Sequence, residues 1–269
     1  MTETRPKPFL DEAISKPGCC TSLLESQSTP DMDWRSIKRS FMTTKPGNCP
    51  YKPGQIERKL VTPICNGLEE DFDNLSLIGF RRSHDFAYRP VCPNCNGCVS
   101  VRVPSPKFEP SKSQRRIMRS NEDLSFSWEK NRATSEHFDL FEAYVQDRHF
   151  DGDMALMTKS DFQEMVEESS VHTQLACWRN EDGILIAVCL VDQLKSGISA
   201  VYSYFDLDKS RRSLGTFVVL DLIKQSCKLD LDYLYLGYWV SGSQKMDYKA
   251  RFNPLEGFID GRWQLLNNE

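Results

Sequence analysis

The chain has 269 residues, 39% hydrophobic and 27% charged, with a net charge of −4. That composition is typical of soluble globular proteins and leaves room for one large domain or two ordinary ones. No apolar run approaches the roughly 20 residues needed to cross a bilayer, and no apolar N-terminal core marks a signal peptide, so a cytoplasmic protein is expected. There the ten cysteines stay reduced, which argues against a disulfide framework.

Charge is unevenly spread. From Trp34 to Arg119 there are 16 Lys and Arg against 7 Asp and Glu, so the rest of the chain is acidic. A basic half can bind phosphates even in an acidic protein.

In chain order, residues 1–33 are rich in Pro, Ser, Thr and acids, without periodicity, and read as a disordered tail. Pro46-Gly47 and Pro53-Gly54 are turn signals on either side of Cys49. Residues 55–62 suggest a short strand, and 66–80 a short helix ending at Gly79. Next come Arg81-Arg82 and a C-x2-C-x2-C run, Cys92, Cys95 and Cys98. Val99 to Val103 alternates like a half-buried strand. Ser111 to Ser120 reads as a basic helix carrying Arg115, Arg116 and Arg119. Residues 122–133 look like a linker or an isolated strand.

The second half has a clearer pattern. Thr134 or Ser135 caps a helix to about His149, with Phe138, Phe141, Tyr144 and Val145 on one face. Ser160-x-x-Gln163 has the spacing of a capping box for a second helix. Strands are predicted over 172–178, 184–191 and 198–205, joined by turns at Asp182-Gly183 and Ser196-Gly197. A helix over 213–228, a strand over 233–237 and an aromatic, basic loop complete the chain.

Helix, helix, three meandering strands, helix, strand is the element order of the N-acetyltransferase-like (GNAT) acyltransferase fold. The predicted class is therefore α+β. A C-terminal GNAT-like domain (126–269) follows a smaller cysteine-bearing N-terminal domain (34–125). Arg212-x-x-Gly215 resembles that fold's pyrophosphate loop, where helix N–H groups meet an anion. Phe217 stands where close backbone approach to a pantetheine would need a small residue, which weakens an acetyl-CoA reading.

Three thiolates at C-x2-C-x2-C spacing can reach one centre, with Cys49 as the first choice for a fourth ligand and Cys65 or His84 as alternatives. Zinc and an iron–sulfur cluster both suit such ligands. Tyr204, Asp206 and Tyr238 carry polar tips at strand ends, where an open sheet admits ligands. Lys245 and Lys249 lie in the basic loop that follows, poised to grip a nucleic-acid end.

The stretches NCPYKPGQIERK, GFRRSHDFAYRPVCPNCNGCVSVRV, PSKSQRR, YSYFDLDKSRRSLGTF and YLYLGYWVSGSQKMDYKARFNPLE occur in order. Together they resemble the aminoacyl-tRNA–protein transferases, of the bacterial aspartate/glutamate leucyltransferase type, relatives of the arginyl-tRNA–protein transferases. The resemblance runs from about Phe41 to Trp263. It implies transfer of leucine (or arginine) from aminoacyl-tRNA to the α-amine of proteins beginning with Asp or Glu, which marks them for N-degron-dependent degradation. It also implies a metal or iron–sulfur centre held by cysteine pairs, although Lys52 stands where one of those cysteines would be.

On this reading the ester is already activated and no cofactor is required for the transfer. Asp206 would orient or deprotonate the amine, and Tyr204 or Tyr238 would support the oxyanion or the leaving hydroxyl. Arg81 or Arg82 would pair with the acceptor's acidic side chain, and Arg115, Arg116, Arg119, Lys245 and Lys249 would hold tRNA phosphates. The competing readings are an acetyl-CoA-dependent GNAT acetyltransferase and a non-catalytic zinc-containing RNA-binding module.

Overall fold

A computed structural model of the chain describes residues 40–64, 69–148, 153–207 and 212–266. The tail expected over 1–33, and Cys65, lie outside them.

A small sheet opens the fold, in the order β1-β4-β6-β5: β1 (Met42–Thr43), β4 (Lys59–Pro63), β6 (Phe86–Pro90) and β5 (Arg81–Ser83). A two-stranded ribbon, β2 (Gly47–Asn48) and β3 (Ile56–Glu57), leads to and from Cys49. Helix α1 (Glu69–Leu77) stops at Gly79, whose φ of +86° is easy only for glycine. The β5–β6 hairpin was hidden in the sequence because its two arginines and a histidine mask the alternation.

The main body is an eight-stranded sheet in the order β14-β13-β7-β12-β11-β10-β9-β8. Its strands are β7 (Cys98–Pro104), β8 (Ser125–Lys130), β9 (Thr173–Arg179), β10 (Leu185–Leu194), β11 (Gly197–Phe205), β12 (Tyr233–Val240), β13 (Glu256–Ile259) and β14 (Arg262–Leu265). The expected division at residues 125 and 126 runs through this sheet, because β7 sits between β13 and β12. The stretch read as a linker or an isolated strand holds the edge strand β8, paired antiparallel with β9. The β13–β14 hairpin went unpredicted, yet Asp260 and Gly261 have φ of +51° and +79°, as a two-residue hairpin turn requires.

Alternation sends side chains to both faces. On one face Trp178, Ile186 and Val101 pack against Phe217, Val218 and Leu222 of α5 (Leu214–Lys228). On the other, Cys177, Val188 and Tyr204 meet Phe141 and Val145 of α3 (Ser135–Arg148) and Phe162 and Val166 of α4 (Lys159–Glu167). A third cluster joins Phe72 and Leu75 of α1 to Leu194 and Tyr235, seating the small sheet on the large one.

The capping box of α4 is Thr158 and Asp161, not Ser160 and Gln163. Asp161 Oδ2 accepts from Thr158 N at 2.7 Å, and a carboxylate suits a helix N-terminus better than an amide. Helix α2 (Lys112–Arg119) has its own box, Ser111 with Gln114.

Candidate active site

The meander β9–β10–β11 is antiparallel, but β12 runs parallel to β11. That pairing holds only from Gly197–Tyr233 to Ser199–Tyr235. Beyond it β11 continues to Phe205 against β10 alone, and β12 continues to Val240 against β7 alone. Gly237, with φ of +74°, lies in the irregular stretch where β12 changes register with β7. Two neighbouring strands that part in mid-sheet leave a wedge into which a ligand can enter between backbones.

The wedge is flanked by buried cations. Arg81 is 5% exposed. Its Nη1 donates to Phe80 O at 2.6 Å and its plane lies 5.0 Å from the Tyr235 ring. Its Nε and Nη2 have no hydrogen-bond partner among the described residues. Lys249, 7% exposed, donates from Nζ to Tyr238 O at 2.6 Å. Burial, and then the Arg81 charge, lower its pKa to about 7. An arginine buried with two donors unpaired leaves a site for an anion, because unpaired buried donors cost free energy. Lys249 was expected on a phosphate. It is instead inside the protein, holding the β12 backbone at the wedge.

Arg82 is fully engaged elsewhere. Its Nε and Nη2 donate to both oxygens of Asp192, at 2.8 and 2.7 Å, and Nη1 donates to His84 O at 3.0 Å. It therefore clamps the small sheet to β10 and is not available to an acceptor.

The predicted catalytic trio is not brought together. Tyr204 is 0% exposed, its ring 5.7 Å from Phe141 and its hydroxyl enclosed without a partner among the described residues. Enclosed in the core under α3, it does not present that hydroxyl to a carbonyl in the wedge. Tyr238 Oη lies 3.0 Å from Gly79 O and 2.9 Å from Tyr88 O, so its proton is committed to tethering β12 to the small sheet. Burial raises its pKa well above the usual value. Asp206 is half-buried at the end of β11, its N–H bonded to Ile186 O at 2.9 Å. Tyr202, two residues before Tyr204, was not singled out in the sequence. Its hydroxyl is buried and unpartnered, and burial raises its pKa.

The start of α5 is not an open phosphate loop. Arg212 donates from Nε to Asn121 at 2.9 Å and from Nη2 to Asp123, so its charge is already used. A Cβ on Gly215 would meet the Phe205 ring at 3.1 and 3.2 Å, so the glycine serves packing. Phe217 belongs to the core against Trp178. By contrast Arg115, Arg116, Arg119 and Lys245 are exposed, where a phosphate could reach them, although Arg115 Nη1 already donates to Pro110 O.

Cys49, Cys92, Cys95 and Cys98 line one cavity, with Tyr51, Lys52 and Val240. Gly97 N donates to Cys95 Sγ at 3.4 Å. Burial, and then its three cysteine neighbours, push the Cys98 thiol up to about 11. Four thiols lining one cavity are the ligand type that suits a soft cation. His84 does not line this cavity.

Residues 47–116 match the family described as arginine-tRNA-protein transferase, N terminus, and residues 136–259 match its C terminus. A protein named aspartate/glutamate leucyltransferase from Paramagnetospirillum magneticum is 46% identical over 237 residues, 87% of this chain and 97% of the relative. The protein of the same name from Methylobacterium sp. is 47% identical over 83% of this chain and 94% of the relative. That from Rhodospirillum rubrum is 46% identical over 86% and 96%. Among solved structures FemX is similar at a TM-score of 0.41 and 10% identity over 77% of this chain and 81% of that one, a likeness too loose to carry a functional statement. The chain is thus an aminoacyltransferase, and it belongs to the arginine-tRNA-protein transferase family, among the aspartate/glutamate leucyltransferases.

Proposed function

We propose that this protein transfers leucine from leucyl-tRNA to the α-amine of proteins that begin with Asp or Glu, marking them for N-degron-dependent degradation in the cytoplasm. The observation that carries the acceptor choice is Arg81, buried beside the wedge with Nε and Nη2 unpaired. A planar guanidinium edge matches a carboxylate in bidentate fashion, and an amide or apolar side chain leaves it unsatisfied. The meander, the helix α5 and the parted β11 and β12 form a GNAT-like acyltransferase arrangement. Here the aminoacyl end of tRNA occupies the wedge where such folds take their acyl donor.

The transfer breaks the ester C–O bond and forms an amide C–N bond. The α-amine loses a proton and the tRNA hydroxyl leaves with one. The ester is already activated, so the protein's task is alignment, proton removal and support of the oxyanion. Asp206, at the mouth of the wedge, orients the amine and takes its proton. Exposed Arg115, Arg116, Arg119 and Lys245 hold the tRNA backbone. Cys49, Cys92, Cys95 and Cys98 would hold a zinc or iron–sulfur centre, which would supply structure and no step of the transfer.

The test mixes the protein with leucyl-tRNA or arginyl-tRNA and peptides beginning with Asp, Glu, Asn or Ala. Transfer of leucine to the Asp and Glu peptides alone is expected. Labelling from acetyl-CoA, or tRNA binding without transfer, overturns the reading. In the same assay Asp206→Asn cuts kcat by more than about tenfold with tRNA affinity unchanged, as loss of a general base requires.

A further inference from the structure

A second cluster of ligand-type side chains, which the transfer does not use, lies under the first turn of α3. Glu129 on β8, His137 on α3 and Cys177 on β9 bring one ligand atom each to within 4.8 Å of one another. The fold places them there. Ser127 is opposite Cys177 in the β8–β9 pair, so Glu129, two residues on, leaves the same face one step along. Helix α3 covers that face, and His137 points down from its start. His137 is 2% and Cys177 0% exposed.

A count of protons and lone pairs shows what the cluster lacks. His137 Nδ1 lies 3.1 Å from Arg132 O. A carbonyl only accepts, so Nδ1 carries the proton and Nε2 of the neutral ring presents a lone pair. Nε2 faces Glu129 Oε2 at 3.6 Å and Cys177 Sγ at 3.9 Å. Arg179 approaches the other carboxylate oxygen, Oε1, at 3.5 Å, which leaves Oε2 turned inward. Nitrogen, oxygen and sulfur then face one point, and the proton between them is that of the Cys177 thiol, which a metal ion would displace. In a tetrahedral zinc site the bond lengths imply ligand separations of about 3.4 Å for N and O and about 3.6 Å for N and S. The two separations made by Nε2 lie within a few tenths of an ångström of these values.

We infer that Glu129, His137 and Cys177 form a binding site for a zinc-type divalent cation, through carboxylate, imidazole and thiolate, separate from the four-cysteine cavity. A thiolate and an imidazole select a borderline-soft ion over calcium or magnesium. The Arg132 carbonyl on Nδ1 is the outer contact that fixes ring orientation and tautomer. Binding forms the metal–sulfur bond and releases the Cys177 thiol proton to solvent. Burial raises the free thiol's pKa, so without the ion it stays protonated and unreactive. The metal ties α3 to the β8–β9 edge and so fixes the helix that packs over Tyr204.

The deciding measurement is an imidazole proton–nitrogen correlation spectrum of the full chain during zinc titration, where only four histidines contribute. The His137 ring, assigned by its loss in His137→Gln, should shift at Nε2 to a metal-bound position and keep its Nδ1 proton. Cobalt in place of zinc should give a thiolate charge-transfer band that survives Cys92→Ser/Cys95→Ser and disappears when Cys177→Ser is added. His137→Gln should weaken cobalt binding at this site by more than about tenfold. A His137 ring that ignores zinc and instead titrates as an imidazolium against Glu129 overturns the proposal: the cation in the cluster is then a proton. That arm uses the unaltered chain, so it decides even if the cysteine variants do not fold.

Discussion

Two adjacent arginines show how residue type and residue role separate. Arg81 and Arg82 are neighbours on β5, both buried, and the sequence treats them alike. Arg82 closes a paired, fully hydrogen-bonded contact with Asp192, whereas Arg81 keeps Nε and Nη2 unpaired among the described residues. Removing one partner of a buried ion pair strands the other charge, so Arg82→Ala should lower unfolding free energy by about 3–5 kcal/mol in a denaturant titration. Arg81→Gln should leave the fold in place and reduce kcat/KM for Asp- and Glu-peptides by about tenfold to a hundredfold, the worth of a charged hydrogen bond. Lys249 makes a different prediction. Its folded pKa, about 7, lies below the ordinary lysine value of 10.5. Between those pH values the unfolded chain holds a proton that the folded chain has lost, so stability rises with pH across that window. Below about pH 7 both states are protonated and the penalty for burying the charge is complete. Lys249→Met should therefore stabilise most relative to the parent below pH 7, with the difference shrinking as pH rises toward 10.5, measured by unfolding at pH 6 and pH 9.

At the scale of elements, the function rests on where β11 and β12 stop pairing. The last shared rungs are Gly197–Tyr233, Ile198–Leu234 and Ser199–Tyr235. A Cβ at Gly197 would stand 2.2 Å from Tyr233 O. Gly197→Ala must push the two backbones apart at the hinge of the wedge. A cost of about 1–3 kcal/mol is expected in thermal or denaturant unfolding, together with a loss of transfer activity larger than the stability change explains. Most of these elements could be read from the chain. The helices and the meander announce themselves through apolar spacing, caps and turn residues, since those signals are local. The β5–β6 hairpin could not be read so, because polar residues interrupt its alternation, and the stretch of β8 stayed between linker and isolated strand because its partner β9 lies far along the chain.

Across the whole molecule, the proposed function has the basic surface of α2 and the wedge serve one tRNA. Arg115, Arg116 and Arg119 are exposed on α2, and Gln114 Nε2 ties that helix to Arg251 O at 3.0 Å, beside the turn that carries Lys249. Arg116→Gln should weaken tRNA binding modestly and reduce the slope of log affinity against log salt by about one, with kcat at saturating tRNA unchanged.

The sequence by itself determined the family, the mixture of helices and strands, the basic α2 and the clustering of Cys92, Cys95 and Cys98, because each is written in contiguous residues. Only the tertiary structure decided which polar side chains are open for chemistry. It turned Tyr204 into core and Tyr238 into a tether, neutralised Arg82 and Arg212 with carboxylates 110 and 89 residues away, and brought Lys249 indoors. It also assembled Glu129, His137 and Cys177 from three elements. Burial and pairing of a polar group depend on what packs against it, and here those partners come from distant strands, so no local pattern records them.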